Sequence, residues 1–171
     1  MAKLSAGLLV YRIRANKLEV FLVHPGGPFW EHKDQNCWSI PKGEYTSEEE
    51  PLEAAKREFI EETGFEVPAG KPVELAPIKQ ASGKVITVWA IKGDFEVANL
   101  NSNLFTMEWP PKSGLYQEFP EADRGEWFDL ETARTKIFKG QTGFLDELKS
   151  IIAAKSPRES ELKNRRLREK G

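Results

Sequence analysis

The chain has 171 residues, 39% of them hydrophobic and 30% charged, with a formal net charge of −2. These values fit one globular domain with a sizeable core and exclude a global basic field that would draw in nucleic acid. The single cysteine, Cys37, excludes an internal disulfide, and with only His24 and His32 beside it neither a zinc cluster nor a Cys/His nucleophile is expected; residues 1–5 open no signal peptide and no stretch approaches a membrane span, so the expected location is the cytoplasm.

Residues 4–14 and 18–24 read as two strands joined by a turn at residues 15–17, an antiparallel pair. Pro25, Gly26, Gly27 and Pro28 break the second strand, and an aromatic-rich loop runs through residues 29–37. Trp38-Ser39-Ile40 reads as a short strand stopped by Pro41. The spacing predicts a helix over 47–63, opened by a Ser47/Glu50 capping box with Pro51 in its first turn and closed by Gly64. Its core-facing stripe is Leu52, Ala55, Phe59 and Ile60. Strands are expected over 73–81 and 84–97, joined at Ser82-Gly83. Residues 98–125 form an irregular stretch too long for an idle connector. A last strand at 127–129 and helices over 130–138 and 143–155 complete a domain of residues 1–155. Residues 156–171 read as a charged tail, whose basic residues from Lys163 onward could touch RNA, although interleaved glutamates favour a solvated segment. Strands outnumber helices and no βαβ alternation appears, so a mixed sheet flanked by helices follows.

Within the predicted helix, Glu58, Glu61 and Glu62 stand at i, i+3 and i+4, on one face. Taken alone this is a solvated acidic face, because like charges at that spacing cost only about 0.2–0.5 kcal/mol. A bound divalent cation would reverse the sign of that energy. Clustered carboxylates suit a hard cation such as magnesium, which keeps waters and completes its shell with phosphates. Such a site meets the needs of water attacking a phosphoanhydride, where positioning and charge neutralisation do most of the catalysis.

The residues around the triplet are more specific. Gly43, Glu49, Arg57-Glu58, bulky Phe59, Glu61-Glu62, Gly64 and bulky Phe65 fall at the spacings of the Nudix box, and the chain resembles the Nudix hydrolases over these 23 residues. Phe59 and Phe65 depart mildly, being aromatic where aliphatic residues are commoner. The resemblance implies an α+β fold, a Nudix-like α/β/α sandwich with a central mixed β-sheet flanked by helices. It implies a pyrophosphohydrolase using Mg2+, with Mn2+ as the alternative. Glu58, Glu61 and Glu62 then correspond to the metal carboxylates. Arg57 and Glu49 correspond to a pair bracing loop and helix, with Glu53 as a competitor for Arg57. A backbone carbonyl near Lys42 or Gly43 is also expected at the metal. A further acid from a later loop is expected as ligand or base, Glu121 ahead of Glu118.

The run Trp38-Ser39-Ile40-Pro41-Lys42-Gly43 is similar to that of diadenosine polyphosphate hydrolases, so the implied substrate is a nucleoside diphosphate linked to another group, dinucleoside polyphosphates first. Nucleoside triphosphates, ADP-ribose and capped RNA follow, and a Nudix module that senses a nucleotide without cleaving it is the non-enzymatic alternative. Lys42 is the candidate phosphate contact. Trp30, Trp38, Trp89, Trp109 and Tyr116 are rings able to stack on a base; Trp30 is the expected exposed platform and Trp89 the expected core ring.

Overall fold

Alternation along the first strand organises the molecule. In the computed structural model, which describes residues 3–169 and their side chains through residue 155, β1 (Leu4–Arg14) is buried on both faces. Ala6, Leu8 and Val10 enter one core cluster, and Leu9 and Tyr11 enter the other. Successive strand side chains point to opposite faces, so β1 lies between two apolar layers. β2 (Lys17–Pro25) pairs antiparallel with it across a two-residue turn in which Ala15 and Asn16 both have positive φ, the geometry of a hairpin turn that matches strand twist.

Seven strands form the main sheet, in the order β4-β6-β1-β2-β9, with β3 added on β1 and β5 on β6. β6 (Val85–Lys92) runs parallel to β1; β3 (Lys42–Tyr45), β4 (Val73–Glu74), β5 (Ile78–Lys79) and β9 (Ala122–Asp129) pair antiparallel with their neighbours. α1 (Pro51–Thr63) covers one face through Ala54, Ala55 and Phe59. α2 (Leu130–Lys136) and α3 (Thr142–Glu169) cover the other through Ala133, Phe144, Leu145 and Leu148. The expected α+β sandwich around a mixed sheet is the observed architecture. β6 occupies one edge of β1 from Leu4 to Tyr11, so β3, on Leu4–Gly7, and β2, on Tyr11–Arg14, share the other edge and part between them. At Gly7 an added Cβ would overlap the Pro41 carbonyl and Lys42, so its absence lets β3 close against β1.

Several expectations need correction. Trp38 and Ser39 make two isolated bridges, to Ile137 and Val23, and no strand. The helix begins at Pro51, not near Ser47, and its N-cap, Glu50, is extended (φ −64, ψ 132) with no side-chain cap. A residue preceding proline is pushed out of the α region, which overrides the capping box. Ile60 is 49% exposed and leaves the stripe, where Ala54 is buried. The strand expected over 73–81 is two short pieces. Pro77 has no N–H to give a ladder, and the Ala76 N–H donates to the Glu147 carboxylate. The strand expected at 127–129 begins at Ala122. Residues 98–125 contain a hairpin, β7 (Leu104–Glu108) and β8 (Tyr116–Pro120), forming a second sheet of two strands. Its outer residues are exposed, so it carries little of the apolar alternation that marks a strand. The side chains of the charged tail expected at 156–171 lie outside the described residues.

Candidate active site

The loop entering α1 is tied back onto the helix by one guanidinium. Arg57 donates from Nε and Nη2 to the two oxygens of Glu49, at 2.8 and 2.9 Å, and its Nη1 donates to Glu58 (2.9 Å) and Glu61 (3.2 Å). The planar five-donor fork of arginine is what allows one residue to hold three carboxylates. Glu53 does not compete and sits 3.5 Å from Lys56. Arg57 holds the Glu49 carboxyl below the usual range.

β3 passes over the acidic face of α1 at its start. A Cβ on Gly43 would overlap the carboxyl carbon and both oxygens of Glu58, so only glycine lets the strand lie against that carboxylate. One residue earlier the Lys42 N–H donates to Glu62 Oε2 at 3.3 Å. The strand thus addresses the acids through a backbone amide. Burial raises the Glu58 carboxyl, with Arg57 opposing it. Burial pushes Glu62 up to about 8, with Lys42 opposing and Glu58 adding. Burial lowers the Lys42 ammonium, Lys84 lowers it further, and Glu62 partly restores it.

Glu121 is pinned between β8 and β9. Its N–H donates to the Asn103 carbonyl at 2.8 Å and its carbonyl accepts from the Gly26 N–H at 3.0 Å. Asn103 in turn donates to the Glu61 carbonyl at the end of α1 (2.8 Å), and Ser102 Oγ bonds both backbone groups of Ala122. Burial raises the Glu121 carboxyl, and Glu61 raises it further. Glu121 in turn raises Glu58 and Glu62. Glu118, opposite Thr106 on β8, is exposed and makes no hydrogen bond to the acidic helix. Sequence reasoning missed the clamp made by Asn103, Ser102 and Gly26. Its only signal was the pair of glycines after Pro25.

The other candidates divide by burial. Trp38 is 1% exposed, with Nε1 donating to Asp34 and its ring against His24 and Phe128, so it cannot stack on a substrate. Its neighbours Cys37 and Ile40 are equally buried, and the apolar run was the available sign. Trp30 packs on the core beside Phe138, and Phe29, at 58% exposure, is the open ring of that loop. Trp89 is a core ring, as expected. His24 is buried between Asp123 and the Lys33 carbonyl, a structural tie across the loop, and His32 is exposed.

Among the described residues no three acidic or imidazole side chains converge as they stand on one point that would enclose an ion. The donor set nevertheless fits a hard divalent cation. Its atoms are carboxylate oxygens, Gly43 sets no side chain between β3 and the Glu58 carboxylate, and a partly buried Glu62 is favoured in its charged form by positive charge facing it.

Glu62 also makes stability depend on pH. Its folded value of about 8 lies above the ordinary 4.5, so its share of stability is whole below 4.5 and is lost as pH rises through about 8. In chelator, the Tm is expected to fall between pH 6 and pH 9. Glu62→Gln should flatten that slope, and a divalent cation should restore Tm most at the alkaline end. A Tm profile in chelator equal for wild type and variant would contradict this account.

The family model described as NUDIX domain matches residues 3–148. An RNA pyrophosphohydrolase of Bartonella henselae is 31% identical over 153 residues, covering 75% of this chain and 76% of the relative. The structure resembles an Ap4A hydrolase binary complex of C. elegans (TM-score 0.62, 22% identity, 88% and 98% of the two chains). It also resembles the NUDIX domain of Shewanella oneidensis NrtR complexed with ADP ribose (TM-score 0.56, 16% identity, 92% and 88%). The chain belongs to the NUDIX family, whose hydrolases generally use divalent metals, and it is a Nudix hydrolase acting on phosphoanhydride bonds. No helix among the described residues is long and apolar enough to cross a membrane.

Proposed function

We propose that this protein is a Mg2+-dependent pyrophosphohydrolase that cleaves a phosphoanhydride bond of a nucleoside diphosphate linked to another group, dinucleoside polyphosphates being the leading substrates. The observation that carries the reading is the closure of β3 on the acidic face of α1, with Gly43 against Glu58 and the Lys42 amide on Glu62. Glu58, Glu61 and Glu62 would hold the cation. A cation there supplies Lewis acidity at a phosphoryl oxygen and offsets charge on the leaving group. Arg57 and Glu49 hold the loop and helix in register, so the carboxylates keep their places as substrate binds. Lys42, half-buried beside the acids, is positioned to meet a phosphate. Glu121, whose raised carboxyl stands beside Glu61, is the candidate to take the proton from the attacking water. Glu121→Gln should lower kcat about a hundred-fold, and Glu118→Gln should stay near wild type. The opposite order, measured by steady-state kinetics, would remove Glu121 from this role.

The preference for dinucleoside polyphosphates rests on the Pro41-Lys42-Gly43 pattern and agrees with the fold shared with the C. elegans Ap4A hydrolase. A second reading, hydrolysis at the 5′ end of RNA, is favoured by the 31% identical relative named RNA pyrophosphohydrolase. The deciding experiment is a magnesium-supported panel of diadenosine polyphosphates, nucleoside triphosphates, ADP-ribose and 5′-triphosphorylated RNA, with products identified. Fastest turnover of RNA would replace the first reading with the second. Tight nucleotide binding without turnover of any substrate would favour the sensing module.

A further inference from the structure

The β7–β8 hairpin is the part of the fold that the chemistry above does not use. A two-stranded hairpin is marginal by itself, and this one leans on the loop after β2. Phe105 fills the space beside Gly27, and Trp109 meets Phe29 edge to face at 5.4 Å. The contact leaves a cleft of about 300 Å³, walled by Trp109 and Phe119 on the hairpin and by Gly27 and Pro28 on the loop. Its polar lining includes Glu31, Gln117 and Asp123, and it contains neither lysine nor arginine. Asp123 is already engaged by His24 and lies near Arg124, whereas Glu31 is exposed and makes no ion pair among the described residues. Phe29, which meets Trp109, is 58% exposed, and Tyr116, next to Gln117 in the chain, is 69% exposed.

Topology sets this cleft beside the acids. Pro25 at the end of β2, Lys42 at the start of β3 and Ala122 at the start of β9 lie at one end of the sheet. Two lining residues, Pro120 and Asp123, flank Glu121 in the chain, and Gly26, next to the loop wall, bonds its carbonyl. An acidic lining repels phosphates, so the occupant adjoining a phosphate site is a neutral, planar group with N–H donors on its edge.

We propose that this cleft is the nucleobase subsite of the hydrolase, with Trp109 as its stacking face and Glu31 as acceptor for an exocyclic amino group. The proposal rests on the nucleotide-hydrolase reading and assigns specificity to the hairpin. Base-on-ring stacking tolerates any base, so the carboxylate supplies the preference for adenine, guanine or cytosine over uracil.

The test uses the full chain. Calorimetric titration with AMP, GMP, CMP, UMP and ribose 5-phosphate, without added metal, is run on wild type, Trp109→Ala, Trp109→Phe and Glu31→Gln. Trp109→Ala should weaken the four nucleotides about ten-fold relative to ribose 5-phosphate, and Trp109→Phe should regain most of it. Glu31→Gln should narrow the preference for the amino-bearing bases over UMP. In turnover, Trp109→Ala should lower the kcat/KM ratio of nucleoside triphosphate to base-free ribose triphosphate about ten-fold. Equal loss for nucleotides and base-free sugars, or no loss, would overturn the subsite, even where wild type hydrolyses nucleotides. Nucleotide binding that depends on Trp109 without any hydrolysis would keep the subsite and remove the hydrolase reading. A Trp109→Ala variant that shifts sedimentation from dimer to monomer, with binding intact, would make the hairpin a self-association surface and overturn the proposal.

Discussion

Glu62→Gln is expected to lower kcat at least about a hundred-fold while leaving the protein folded. Glu62 combines a place on the acidic helix face, a carboxyl raised to about 8 by burial, and a hydrogen bond from the Lys42 amide. Glutamine keeps the shape and an oxygen for that amide but carries no charge. Removing a partly buried carboxylate that is unfavourable without a cation should leave Tm in chelator equal or higher above neutral pH. The two readouts therefore separate, with turnover and cation affinity lost and stability kept. Magnesium-supported hydrolysis near the wild-type rate would sink the account of the acidic helix as a cation site.

Gly43→Ala should match that loss of activity from outside the acidic helix. Its φ is not in the left-handed region, so the backbone itself accepts alanine. The methyl group would instead occupy the position of the Glu58 carboxyl. What moves is the far end of a flexible side chain, so the fold should survive with a small change in Tm. The carboxylate, however, is displaced from the face it shares with Glu61 and Glu62. A fall in kcat of about a hundred-fold is expected, since misplacement by about 1 Å costs that much in a positioned site. Kinetics and cation titration of the variant check it, and full activity would show that Glu58 has another usable rotamer.

Legibility from sequence differed by region for physical reasons. The β1–β2 hairpin and Gly64 at the end of α1 were readable because local rules decide them, namely strand alternation, turn chemistry and a left-handed C-cap. The start of α1 was misread because two local rules conflict there, and the steric demand of Pro51 on Glu50 outweighs a side-chain cap at Ser47. Trp38 was misjudged because an aromatic ring is apolar in either role, and only the packing of α2 and α3 decides which. The β7–β8 hairpin was missed because its strands are exposed and the contact that holds it, to Gly27 and Phe29, is distant in sequence.

By itself the sequence determined the reaction class: three carboxylates on one helix face, with Gly43, Glu49, Arg57 and Gly64 at set spacings, already identify a Nudix hydrolase. The three carboxylates lie within one helix, where helical periodicity alone fixes the face they share, while Gly43 on β3 and Glu49 in the loop before the helix carry the signal by their spacing. The tertiary structure decided what surrounds them. It brought Glu121 from the β8–β9 junction to the acids, set Gly43 against Glu58, buried Trp38 and opened a cleft under the hairpin. Each of those outcomes depends on contacts between segments far apart in the chain, where packing chooses among side-chain roles that local spacing leaves equal.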